Sequence, residues 1–492
     1  MNTVRKMSGM LFVVLSLVAA IAFCPPAYAN DNVSPEANPL AIVDGTPIKD
    51  VFTGEDGILA EWVASILGKD VADGVTAAEL ATITEIDGDK FTSDDRAALM
   101  DWSGIENLTG LELLNLSGCP LSNSSINDIK GLSSLETINF SASQISATLA
   151  DFNEITSLKS ICLSFTAHVS GALSDLKDLV NLNRIEIAPC RNITGALTDF
   201  LNWPQLERIY LAAIDLSSSD LSDLSTHPNL ENFKAVYMPE NDIKGNVEVF
   251  SKCTQLEYFA LNDTPGEESG RVTGSLDFLG SCPNLKSVGM NSTAVTGLID
   301  TMFAGNDNIE MIILNCPGIT GNLSVFSGTT ELNYVHFEKS QIEGDIAHLS
   351  GNNWLSHLCL NSKGVTGNLS DFLSNMNEIV YFNIANTSLS GSLADIGTRG
   401  AYQYINASGV GITGDLSDLT ESFTRSAMFM NLNLSDNPAI TGDIALFSDL
   451  YKENSLTALS TLNLKNTAVS GDVATLAVVD SLQAINLSET SV

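Results

Sequence analysis

A six-residue unit, L-x-x-L-x-L, recurs along this chain and limits its fold more than any other property of the sequence. It stands at Leu111/Leu114/Leu116, at Leu135/Ile138/Phe140 and at Leu482/Ile485/Leu487. Sixteen copies begin at 111, 135, 158, 182, 206, 230, 256, 285, 309, 332, 355, 379, 402, 429, 459 and 482, mostly 23 or 24 residues apart. A fixed period of that length marks stacked coils, each burying its apolar side only against its neighbours. The expected core is one long column beside an open surface. Such a surface suits the binding of a partner better than it suits chemistry.

The segments ahead of the repeats differ in character. Arg5 and Lys6 precede an apolar run from Leu11 to Phe23, and Ala27-Tyr28-Ala29 offers a cleavage site. Residues 1–29 therefore read as an export signal. Phe23, ahead of Cys24, stands where a lipidation motif wants a small residue. No later stretch reaches the roughly 18 consecutive apolar residues of a membrane span. Residues 30–49 hold three prolines and no period, which predicts a flexible leader. Residues 50–107 predict a helical cap. Ile58, Leu59, Trp62, Val63, Ile66 and Leu67 follow helical spacing up to Gly68, and Thr76 with Glu79 forms a capping box. Leu80, Ile83 and Ile86 suggest a degenerate first strand, and Ser93 is positioned to cap a third helix. The repeats then occupy 108–492.

This cap carries a resemblance. The run from EDGILAEWVASILGKD through TAAELATI to GIENLTGLELLNLSGC resembles the cap and first repeats of internalin-like surface proteins of Gram-positive bacteria. The repeat itself resembles the leucine-rich repeat family over residues 108–492. The second half of the repeat, as in Val169-Ser170-Gly171-Ala172-Leu173 or Ile319-Thr320-Gly321-Asn322-Leu323, resembles the L-x-G-x-I-P segment of plant-type repeats without its proline. Twelve repeats keep that glycine. The resemblance implies a leucine-rich repeat solenoid with a parallel sheet on a concave face and short irregular or 3-10 segments on the convex face. It also implies a secreted or cell-surface role in adhesion or host contact. Repeat length departs from the usual internalin unit, and no wall-sorting signal is present.

Charge narrows the partners. The formal charge is −36, which opposes nucleic acid and anionic lipid. A protein ligand is the expected partner, with a glycan as the alternative. No catalytic or cofactor motif occurs, so neither enzyme activity nor a cofactor is expected.

Strand side chains alternate, so the x positions of the unit face out from the sheet. Tyr210, Tyr237, Tyr258, Tyr334, Tyr381 and Tyr404 lie there. Tyr334, His357, Tyr381 and Tyr404 hold one column in four consecutive repeats. Tyrosine gives a rigid amphipathic contact and is enriched at interface hot spots. These residues, with His357, form the candidate binding set. Asn383, Asn406, Asn433, Asn463 and Asn486 form a second column. It reads as amides stacked along the sheet, with a glycan-binding strip as the alternative.

Smaller features admit two readings each. His336, His357 and Cys359 have donor types that suit zinc, but read by default as surface residues. Asp87, Asp89, Asp94 and Asp95 fail the ligand order of a calcium loop. Cys253 and Cys282 lie in adjacent repeats within disulfide reach, with buried free thiols as the default. Cys119, Cys190, Thr166, Thr264, Thr293, Thr387, Thr467 and Thr490 share an inward position that caps backbone. Segments 239–242 and 265–270 read as insertions after their strands, and 418–428 and 448–458 as insertions on the far side. The last strand, Leu482 to Leu487, invites end-to-end dimerisation through its open edge.

Overall fold

The computed structural model describes residues 42–216, 219–262, 271–376, 378–426 and 428–492. The export signal, most of the leader and the 265–270 insertion lie outside them. By its internal contacts the chain divides into two compact units. The first runs to Ser219 and includes 226–229 and 240–242; the second takes 220–225, 230–239 and 243–492.

The first unit opens with the cap, which starts earlier than residue 50. Thr46–Pro47 pairs antiparallel with Gly74–Val75, and Ile48–Val51 forms a short helix with Ile48 buried. The helix Ile58–Leu67 starts after Gly57 and stops at Gly68, both in the left-handed region at φ 69° and 65°. Leu59, Trp62 and Val63 face the core, and Trp62 stacks on Phe91 with centroids 4.2 Å apart. Ile66, which shares that helical spacing, is 43% exposed. Thr76 and Glu79 close the capping box over Ala77–Leu80. Thr92, not Ser93, caps the helix Ser93–Ala98 by accepting from the Asp95 N–H. The acidic turn needs no ion: Asp87 accepts from Asn115, and Asp89 pairs with Arg96 at 2.7 Å.

The sheet begins inside the cap, because Glu85–Asp87 pairs in parallel with Leu113–Asn115. Thr137–Asn139, Ser160–Cys162, Arg184–Ile187 and Arg208–Leu211 follow in parallel register. A second set of short strands, Ala147–Thr148, Val169–Ala172 and Ile193–Thr194, runs through the later half of each coil. Short 3-10 and helical turns close the coils.

The second unit repeats this plan from Ala235–Tyr237 to Ala484–Asn486. Its first coil corrects the sequence register. The unit begins at Phe233, not Leu230, since Ala235, Val236 and Tyr237 pair with Tyr258, Phe259 and Ala260. Leu230 sits in a 3-10 turn before the strand, and its apolar match to the pattern was accidental. Residues 239–242 are then an ordinary post-strand turn and no insertion. The later insertions form the helices Thr420–Arg425 and Ala445–Lys452.

Polar side chains satisfy backbone groups, some in the preceding coil and some in their own. Cys253 donates its thiol to the Leu230 carbonyl at 3.1 Å, and Cys282 to the Cys253 carbonyl at 3.2 Å. Both cysteines are therefore free thiols that satisfy backbone, not a bridge. Thr387, Thr467 and Thr490 donate to the carbonyls of Ile384, Leu464 and Leu487, as Thr166 does to Leu163. Thr293 departs from this set: it is exposed, and Ser292 is buried in its place, donating to Val272 at 2.9 Å. Thr264 lies outside the described residues. Asn437 was not anticipated. It is fully buried, and its amide reaches carbonyls of Ala407, Leu434 and Ser435 while its oxygen accepts from Gly411 and Ile412.

At Gly321 the recurrent glycine has two causes. Gly321 has φ 128°, and a Cβ there would stand 2.4 Å from the Asp300 carboxylate of the preceding coil. That carboxylate already accepts from the Asn322 N–H at 2.8 Å. Gly321→Ala is expected to cost about 1–3 kcal/mol through backbone strain and the displaced carboxylate. Equilibrium urea unfolding measures it, and an unchanged midpoint would show that the turn relaxes freely.

Candidate binding face

Four rings form a continuous stack in the second unit. The strands Tyr334–Phe337, His357–Leu360, Tyr381–Asn383 and Tyr404–Asn406 are in register, so Tyr334, His357, Tyr381 and Tyr404 stand side by side. Their centroids are 3.8, 4.2 and 4.3 Å apart, with interplanar angles of 9°, 5° and 7°. Parallel strands lie about 4.8 Å apart, so the rings lean toward one another and stack face to face. The alternation of the unit places all four on the outer face, while Val335, Leu358, Phe382 and Ile405 between them enter the core. Each ring is half-buried by its neighbours.

The remaining tyrosines are not part of this stack. Tyr258 shares its column but is separated from Tyr334 by Ser287 and Met311. Tyr237 occupies the other outward column, aligned with Ala260. Tyr210 belongs to the first unit, where the Arg184 guanidinium lies 5.1 Å from its ring centre and pairs with Glu186 at 2.5 Å.

Burial shifts Tyr334, His357 and Tyr381 within the stack. It pushes the Tyr334 phenol up to about 12 and raises Tyr381 further. It pulls His357 from 6.5 down to about 3, helped by neighbouring His336. His336 Nδ1 and His357 Nε2 are 3.0 Å apart and share a hydrogen bond, while His336 Nε2 lies 3.6 Å from Glu338. His336 is also lowered, by burial first, with Glu338 opposing. Cys359 beside them is raised to about 12 by burial, so its thiol keeps its proton. His336 and His357 bond each other, and no group of three His, Cys, Asp or Glu side chains that could hold a metal occurs among the described residues.

The histidine shifts have a consequence for stability. The unfolded chain takes up these protons near pH 6.5, and folded His357 only near 3. The unfolded state thus binds more protons between those values, so stability falls as pH drops through that window. The melting temperature is expected to decrease from pH 7 to pH 5, and His357→Phe should flatten that slope. An equally steep slope in the variant would assign it to other groups.

The asparagine column is structural in a different way from amides stacked along the sheet. Asn406, Asn433, Asn463 and Asn486 each accept the N–H two residues on, at 3.2, 3.1, 3.2 and 3.2 Å. Asn383 does the same for Ala385. Each side chain thus caps its own turn, which holds the end of its strand.

One property of this face was missed by its residue types and lies in what they lack. Ser356, His357, Cys359 and Asn361 are followed by Val380, Tyr381, Asn383 and Ala385, then Gln403, Tyr404, Asn406 and Ser408, then Met430, Asn431, Asn433 and Ser435. None is charged at neutral pH, in a chain of formal charge −36. Earlier coils of the unit carry charges at these positions, among them Lys286 paired with Glu310 at 3.6 Å, and Glu338.

No protein-family model matches the sequence, and no curated protein matches it. Solved structures do. A TDR receptor structure aligns with TM-score 0.51 at 18% identity, covering 79% of this chain and 70% of that one. The Arabidopsis receptor kinase HAESA ectodomain, solved with an IDA peptide hormone ligand, gives 0.50 at 17%, covering 81% and 76%. An internalin, InlF of Listeria monocytogenes, gives 0.36 at 18%, covering 90% and 98%. At these identities the likeness to the two receptor structures is one of fold.

Proposed function

We propose that this leucine-rich repeat chain is an exported, non-catalytic protein that holds a protein partner on the sheet face of its second unit, around Tyr334, His357, Tyr381 and Tyr404. The stacked rings carry this reading, together with the absence of charge at the outward positions of the coils that bear His357, Tyr381 and Tyr404. Interface centres are depleted of charge and enriched in tyrosine, and a preformed stack loses little entropy on binding. The HAESA ectodomain, of the same fold, was solved holding a peptide. An adhesive or host-contact role follows only from the internalin-like cap. The glycan alternative is weaker, because sugar stacking needs free ring faces and these rings cover one another. End-to-end pairing through the strand of Ile485 is a separate reading.

A glycan array and a display selection of peptides on the full chain separate the first two readings. Binders from the selection should lose roughly 100-fold in affinity on Tyr334→Ala with Tyr381→Ala, with an unchanged circular dichroism spectrum. Equal affinity would move the site elsewhere. Ile485→Lys should abolish any dimer seen by ultracentrifugation at high concentration.

A further inference from the structure

Trp354 differs from the other tryptophans. Trp62, Trp102 and Trp203 are at most 2% exposed, whereas Trp354 is 60% exposed. It directly precedes Leu355, which opens the coil that carries His357, and so stands at the strand-entry edge of the same face. Beside it is an open cleft of about 330 Å³ lined by Asn353, Trp354, Ser374, Asn375 and Glu378.

We propose that this cleft receives a lysine or arginine side chain of the protein partner, an inference that rests on reading the adjoining face as its binding surface. An exposed indole attracts cations through its ring face, most strongly among the aromatics. Glu378 supplies a carboxylate in the same cleft, and no ion pair engages it among the described residues. Asn353, Ser374 and Asn375 offer side-chain acceptors for the remaining N–H groups of such a head. The adjoining sheet positions hold no charge to compete with it. The formal charge of −36 steers a basic partner toward the chain as a whole. The uncharged ring stack would then supply contact area, and the cleft would set which segment docks and in which direction.

The test uses a phage-displayed library of random dodecapeptides selected on the full chain, with Trp354→Ala, Glu378→Gln, Trp354→Phe and Tyr381→Ala as comparison targets. Each variant is first checked for an unchanged melting midpoint. The expected binders carry a Lys or Arg beside an uncharged stretch. Their affinity should fall about tenfold on Trp354→Ala and on Glu378→Gln, and return largely with Trp354→Phe. Raised salt should weaken binding to the parent chain more than to Glu378→Gln. Binders without a basic residue, or unchanged by both cleft variants yet weakened by Tyr381→Ala, would overturn the cleft and leave the binding face standing. Binders indifferent to Tyr381→Ala as well, or no enrichment at all, would overturn both.

Discussion

Deleting residues 46–107 is expected to leave a protein that aggregates or loses cooperative unfolding. The first full coil buries Leu111, Leu114 and Leu116 completely, and its strand Leu113–Asn115 pairs with Glu85–Asp87 from the cap. Deletion opens that strand edge and also removes Trp102 and Ile105, both fully buried. Each large apolar side chain left exposed forfeits about 1.5–3 kcal/mol, and an open edge strand pairs readily with another chain. Trp62→Ala is the milder form. It removes the stack on Phe91 and should cost about 3–5 kcal/mol. Size-exclusion chromatography and calorimetry decide. A monomeric deletion variant with the parental melting midpoint would show that the coils need no cap.

Asn437→Ala is expected to destabilise the second unit by at least about 4 kcal/mol, far more than an average substitution. The side chain is fully buried and bonds carbonyls of Ala407, Leu434 and Ser435 and the N–H groups of Gly411 and Ile412. Alanine leaves these groups dry, at about 1–3 kcal/mol for each one unsatisfied. Asn463→Ala is the control. It loses a single turn bond, to the Lys465 N–H at 3.2 Å, and should cost about 0.5–1.5 kcal/mol. Denaturant midpoints compare the two, and similar shifts would mean that water enters to replace Asn437.

The fold was legible because its signal is redundant: a register repeated along the whole chain survives one misplaced copy. Leu230 misled because the pattern asks only for apolar spacing, and a turn leucine three residues early meets it. Pairing of Tyr237 with Ala260 fixes what spacing left open. The ring column at Tyr334, His357, Tyr381 and Tyr404 was legible because strand alternation is strict. Its face-to-face stacking was not, since it depends on how far each ring leans. Asn437 was illegible for another reason. Buried and exposed asparagines look alike in sequence, and only the backbone groups left dry around Asn437 distinguish it from Asn433. Trp354 offered no pattern at all, since one exposed aromatic carries no period.

The bonds that tie one coil to the next reach back a single step, as from Cys282 to Cys253 or from Asn437 to Ala407. Inheritance could exploit that short reach. A change at an outward position such as Tyr381 or Asn431 meets only its immediate neighbours, so the outer face is open to mutational exploration while the inward leucines stay fixed. Whole coils are equally natural units of duplication or loss, since each new junction has only to match the coil beside it. A lineage of such chains would therefore diversify its partners faster than its architecture.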